Sequence, residues 1–261
     1  MIEVPLEQLY AWITSLLWPM LRIGGLISLA PILGEANVPV RIKIGATVAI
    51  TLVLAPVIGP QPAIAPASYA GLLIAVQQVL IGMALGFCMR LIFTATMMAG
   101  EFVGLPMGLA FASFFDPATG ANTAVLSRLL NLVAMLMFLA VNGHLLMLDG
   151  LARSFTLMPI GADLHADGWA ALMDWSAQIW IIGLLLALPL LVVLQTINLS
   201  LGILNRTAQQ LSVFAVGFPI TLSTGLIMLA IVVPRSSEFL MQLFESGYQT
   251  MARIARGLMG I

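Results

Sequence analysis

The chain has 261 residues, 61% of them hydrophobic and 8% charged, with a formal net charge of -1. Soluble domains run closer to 45–50% apolar and about 25% charged, so ten basic and eleven acidic residues are too few to clothe a water-facing surface of this size. The balance excludes an ordinary soluble domain and a nucleic-acid binder, which needs a basic stripe, and sets most of the exterior against lipid or apolar subunits.

Six apolar segments are expected, each judged against roughly 20 residues for a helix crossing a ~30 Å hydrocarbon core. Met1–Tyr10 carries Glu3 and Glu7 and no basic residue. A secretory signal peptide starts positive, so the first segment is expected to stay in the mature protein. That segment, Leu9–Leu33, is interrupted by Pro19 and Arg22. Ile44–Ile58 is short and follows Arg41 and Lys43. Tyr69–Gly100 is broken only by Arg90 and spans about 45 Å as one helix. Leu129–Leu148, Ile179–Leu204 around Pro189, and Leu211–Val233 around Pro219 complete the set.

The connectors differ in kind. Gly59–Ser68, with Pro60, Pro62 and Pro66, reads as a tight extended loop. Glu101–Thr123 is irregular yet apolar, and Asp149–Trp175 reads as a polar loop. The tail, Ser236–Ile261, reads as an amphipathic helix with Ser236 or Ser237 as its cap. Leu240, Leu243, Phe244, Met251, Ile254 and Leu258 recur on one face. Such a tail lies on a membrane surface or packs on a partner. Counting basic residues does not orient the chain: Arg41, Lys43 and Arg206, with Arg128 at the edge, face Arg153, Arg235, Arg253 and Arg256 across the six segments.

No chemistry-bearing motif is present. His144 and His165 are the only histidines and Cys88 the only cysteine. Neither histidine has a second ligand at helical or turn spacing, so no metal, cofactor or disulfide is expected. Without a nucleophile elbow, a phosphate-binding loop or paired carboxylates, no enzyme is expected.

Several features need an explanation. Arg22 and Arg90 lie in apolar stretches, where a central charge costs about 2.5–3.5 kcal/mol on insertion scales. They either pair with a carboxylate such as Glu101 or a backbone carbonyl, snorkel to the interface, or form a seam toward other subunits. Gly100, Gly104 and Gly108 form two overlapping Gly-xxx-Gly patterns, and Gly82 with Gly86 a third. Such grooves let a neighbouring backbone approach, within the chain or from another subunit. Pro106 breaks any helix there. Phe111, Phe114 and Phe115 then precede the turn residues Asp116 and Pro117. Irregular apolar backbone at membrane depth survives buried in protein or lining a watery cavity. The segment therefore suits a pore plug, or a re-entrant loop with ordinary packing.

An ordered series of residues resembles the FliR family of flagellar biosynthetic proteins. It runs from Ala99-Gly100-Glu101 through Met107-Gly108-Leu109 to Asp116-Pro117, then Asn142-Gly143-His144, Ser154-Phe155 and Pro159-Ile160-Gly161. Arg22, Pro31, Pro39, Arg41 and Lys43 fall in the order of that family's first hairpin. Leu186 to Pro189, Gly202-Ile203-Leu204-Asn205-Arg206 and Phe214-Ala215-Val216-Gly217-Phe218-Pro219 resemble its last. The chain departs at Ala208-Gln209-Gln210-Leu211-Ser212, where the family has a proline and an asparagine.

The resemblance implies an all-α membrane protein of about six apolar helical segments, built as tilted helical hairpins with a C-terminal amphipathic helix. Residues 1–168 would be FliP-like, with a plug loop near 104–123, and residues 169–261 FliQ-like. It implies a subunit of a flagellar type III export gate in the bacterial inner membrane at the basal body. The implied partners are FliP- and FliQ-type subunits, FlhB and FlhA, with unfolded export substrates in transit. Met107, Phe111, Phe114, Phe115, Asp116 and Pro117 would close the pore. Gly82, Gly86, Gly100, Gly104 and Gly108 would serve close helix packing, and Arg22, Arg90, Glu101 and Arg206 would be intramembrane polar positions. The alternatives are an injectisome export-gate subunit and, from another class, a stand-alone secondary transporter. Against the transporter, no ionisable cluster shares one depth and the two halves show no mutual similarity.

Overall fold

The computed structural model describes residues 6–59, 61–62, 64–109, 125–207 and 213–260, with side chains from residue 13 and only the backbone for 213–215. Within them the protein is all-helical: α1 Leu6–Leu29, α2 Val40–Ile58, α3 Tyr69–Gly104, α4 Val125–Ala140, α5 Gly143–Leu157, α6 Asp167–Ala177, α7 Ile179–Thr207, α8 Val213–Arg235 and α9 Ser237–Gly257.

Prolines and special backbone conformations set these boundaries. Pro39 starts α2, where its missing N–H is no loss, and Gly59 at φ 80° ends it. No proline interrupts the 36 residues of α3. Pro106 then forbids its continuation.

Among the described residues, four helical stretches are long and apolar enough to cross a membrane: Val40–Ile58, Tyr69–Gly104, Asp167–Thr207 (α6 and α7 together) and Val216–Arg235. They become five if α4 and α5 count as one broken span. The protein is an all-α membrane protein, and one of the six expected segments takes another form. Leu129–Leu148 breaks at Asn142, which sits in the left-handed region at φ 56°, a conformation asparagine tolerates better than most residues.

The polar loop expected over Asp149–Trp175 is mostly helical. Asp149 and Arg153 pair at 2.7 Å one turn apart on α5, while Leu151 and Phe155 bury the opposite face. Charges spaced by one turn had looked like loop polarity.

The chain forms two compact units, each discontinuous in sequence. Met1–Leu91, Val141–Ala177 and Phe244–Ile261 form the first; Ile92–Ala140 and Gln178–Leu243 form the second.

In the first unit α1 packs on α2, and α2 on α5. Glycine lets α1 meet α3 backbone to backbone: a Cβ on Gly82 would collide with the Arg22 carbonyl, and one on Gly86 would lie 2.5 Å from that of Leu26. Cores of this kind gain from dispersion contacts that a methyl group would push apart. The C-terminal part of α9 returns onto α6. The His165 N–H donates to Leu258 O at 2.9 Å, and Gly168 leaves no room for a side chain against Leu258.

In the second unit α7 and α8 form an antiparallel pair over a core of Ala99, Val103, Met107, Leu126, Ala187, Leu190, Leu194 and Leu229. Gly100 meets the backbone of Ser127, and Gly183 the side chain of Met98. Phe93 and Phe138 pack edge to face at 5.5 Å. The serines at the α8–α9 junction do not cap α9. Ser236 Oγ donates to Val233 O at 2.7 Å and Ser237 Oγ to Pro234 O at 3.2 Å, so both hydroxyls serve the end of α8.

The tail is amphipathic as its periodicity predicts, but its apolar face is neither on a membrane surface nor awaiting a partner. Leu240, Leu243, Phe244, Met251, Ile254 and Leu258 are all buried in the folded chain.

Candidate functional site

Two constructions stand out, one in each unit. In the first, Arg22 on α1 is fully buried. Its Nε donates to Gln78 Oε1 at 2.7 Å. Its Nη1 donates to the Ser154 carbonyl at 2.9 Å and to Ser154 Oγ at 3.3 Å, and its Nη2 to the Met158 carbonyl at 2.9 Å. The guanidinium also lies 4.2 Å over the Phe155 ring.

All these acceptors are neutral, and the helix end explains why that suffices. Ser154, Phe155 and Met158 sit at the C-terminus of α5, the partially negative end of the helix dipole, where Ser154 O also accepts the Met158 N–H at 2.9 Å. No basic residue occupies the last turn of α5; Arg22 supplies one from α1. Ser154 gives its own hydroxyl hydrogen to Leu151 O at 2.6 Å, which leaves its oxygen free to accept.

Sequence reasoning singled out Arg22, named Ser154 only within the family resemblance, and missed Gln78 and Met158. The available signal was Gln78 itself, a polar residue in an apolar helix and one turn before Gly82 on the same face.

The second construction follows α3. Met107 is fully buried, and Gly225 on α8 supplies the space: a Cβ there would lie 2.6 Å from Met107 Sδ and 2.7 Å from its Cγ. Asn198 Nδ2 of α7 donates to the Pro106 carbonyl at 3.1 Å. Thr221 Oγ1 of α8 approaches the Met107 carbonyl at 3.5 Å, while lying 3.1 Å from Gly217 O in its own helix. Gly108 follows at φ 81°, a conformation that glycine adopts without steric penalty. Asn198, Thr221 and Gly225 were not singled out by sequence; their only signals were polarity, or a missing side chain, within apolar spans.

The remaining residues are dispersed. Arg90 is half-buried, and Glu101 and Arg206 are exposed. Gly104 is buried, with no described atom within 4 Å of an added Cβ. Phe111, Phe114, Phe115, Asp116 and Pro117 lie outside the described residues, as does the turn at 208–212. Among the described residues no group of three or more His, Cys, Asp or Glu side chains is placed to hold a metal ion.

A buried cation seated on a helix end, and a methionine seated in a glycine notch, are packing devices of an apolar helical protein. Comparison with known proteins says which one. The family model for bacterial export proteins, family 1, matches residues 13–247. The flagellar biosynthetic protein FliR of Escherichia coli (strain K12) is 44% identical over 255 residues, covering 97% of each chain. The chain belongs to the FliR family. The FliR of Pectobacterium carotovorum is 46% identical over 93% of each chain. That of Bacillus subtilis is 28% identical over 90% of this chain and 92% of its own. Both constructions of this FliR-family chain lie inside the matched region.

Proposed function

We propose that this membrane protein is a non-enzymatic subunit of the flagellar type III protein export gate. It would sit in the bacterial inner membrane at the basal body and help form the channel entrance for unfolded flagellar substrates. The observation that carries the reading is end-to-end likeness: a relative named as a flagellar biosynthetic protein matches 97% of this chain at 44% identity. That name also favours the flagellar branch over an injectisome.

Apolar surface supports membership of an assembly in lipid. Helix α2 buries only Thr47 and Thr51, whose hydroxyls donate to Lys43 O and Thr47 O one turn back. Its apolar side chains Val40, Ile42, Ile44, Leu52, Val53 and Val57 face outward. FliP- and FliQ-type subunits are the proposed neighbours, with FlhB and FlhA close by. Residues 1–168 would take the FliP-like place and 169–261 the FliQ-like one. Phe111, Phe114, Phe115, Asp116 and Pro117 would close the resting pore, with Met107 at the root of that segment.

Co-expression with FliP- and FliQ-type partners, followed by native mass measurement in detergent, tests the assembly. A defined hetero-oligomer containing this chain is expected. A stable monomer beside folded partners would overturn the reading in favour of a stand-alone transporter. Deleting Gly108–Gly120 is expected to raise ion leak through the assembled complex; an unchanged leak would remove that segment from the gate.

A further inference from the structure

We propose that Met107 is a latch: seated in the Gly225 notch of α8, it fixes the end of α3 to the α7–α8 pair and thereby sets the resting leak of the gate. The inference rests on the export-gate reading and deepens it by naming what holds the root of the closing segment.

Three observations carry it. The side chain of Met107 is fully buried in a space that exists only because position 225 lacks a Cβ. The two carbonyls flanking this seat, Pro106 and Met107, are approached by Asn198 on α7 and Thr221 on α8. Gly108, at φ 81°, turns the chain immediately after the seat. Position and direction of the chain leaving α3 are therefore set together.

The same contacts are suited to release. A thioether on three rotatable bonds moves out of a notch without disturbing backbone. Thr221 has one hydroxyl hydrogen, and Gly217 O is closer to it than Met107 O, at 3.1 Å against 3.5 Å. Losing Met107 leaves that hydroxyl with a partner inside its own helix. Of the bonds between helices, that leaves the Asn198 bond to Pro106 O to be replaced. Seating is thus mostly packing, which is reversible and short-ranged.

The test is a size swap in the full chain, assembled with its partner subunits. Gly225→Val adds as many heavy atoms as Met107→Ala removes, so the pair conserves volume. Each single substitution is expected to raise ion leak about tenfold, within the range that coupling between touching residues produces, with native mass of the complex unchanged. The double variant should return close to the wild-type leak. Should Gly225→Val prevent assembly, Gly225→Ala serves in its place.

A double variant that leaks as the product of the two singles would overturn the latch. So would tight single variants in a complex where deletion of Gly108–Gly120 does leak. If that deletion does not leak either, the gate reading itself fails and the latch with it.

Discussion

The Nη2 of Arg22 donates to the Met158 carbonyl at 2.9 Å across 136 residues of chain, so the charge carried by α1 rests on the end of α5. Replacing Arg22 by Leu would leave the Gln78, Ser154 and Met158 oxygens without this donor. Ser154 O keeps the Met158 N–H at 2.9 Å, while each buried acceptor left with no donor costs about 1–3 kcal/mol. Arg22→Leu is therefore expected to lower the thermal stability of the purified assembly strongly and to reduce accumulation in the membrane. Arg22→Lys should restore only part, because an ammonium lacks the planar fork that reaches Gln78 and Met158 together. Full recovery with lysine would mean that charge alone matters.

Glycine positions should divide sharply. Gly82→Ala drives a methyl group into the Arg22 carbonyl, whereas Gly45 on α2 has nothing within 4 Å of an added Cβ. The first substitution should cost stability of the isolated chain, since backbone must shift. The second should be neutral or stabilising by about 0.5–1 kcal/mol, as helix propensity favours alanine. Thermal unfolding of both variants in detergent distinguishes them, and equal tolerance would count against the α1–α3 contact.

The tail provides an accessibility test. Arg253 is exposed and Ile254 buried. In a background with Cys88 replaced by Ala, a cysteine introduced at 253 should react readily with a soluble thiol reagent, while one at 254 should react far more slowly. Similar rates at the two positions would show that α9 does not stay packed on α6.

Tyr248 makes a pH-dependent contribution. Its hydroxyl donates to Gly143 O at 3.0 Å, and burial, helped by nearby Glu245, raises its pKa above the ordinary 10.0. Protonated phenol is favoured in the folded state, so the stabilisation is complete below the ordinary phenol range and is lost as pH rises through the folded-state value. Tyr248→Phe should cost about 1 kcal/mol near neutrality and flatten the alkaline decline. An identical alkaline decline in both proteins would assign it to another group.

Membership of the membrane class, the helical character and the family were all legible from composition, apolar run lengths and ordered motifs. Arg22 was legible as a problem, because a cation in an apolar helix demands a partner. Its solution was not: Gln78 lies 56 residues away and Ser154 132. Met107 illustrates the reverse. The resemblance names it with the plug residues, and only the structure shows its side chain in the core of the second unit.

Helix content and membrane residence depend on local quantities: the number of apolar residues in a row, the position of prolines and the scarcity of charge. Those are written one residue after another, and the chain could be read for them directly. Which carbonyls receive Arg22, which glycine admits Met107 and what covers the apolar face of α9 depend on where distant helices meet. A glycine notch or a helix end has no sequence signature of its own occupant, because shape complementarity exists only after the helices have packed.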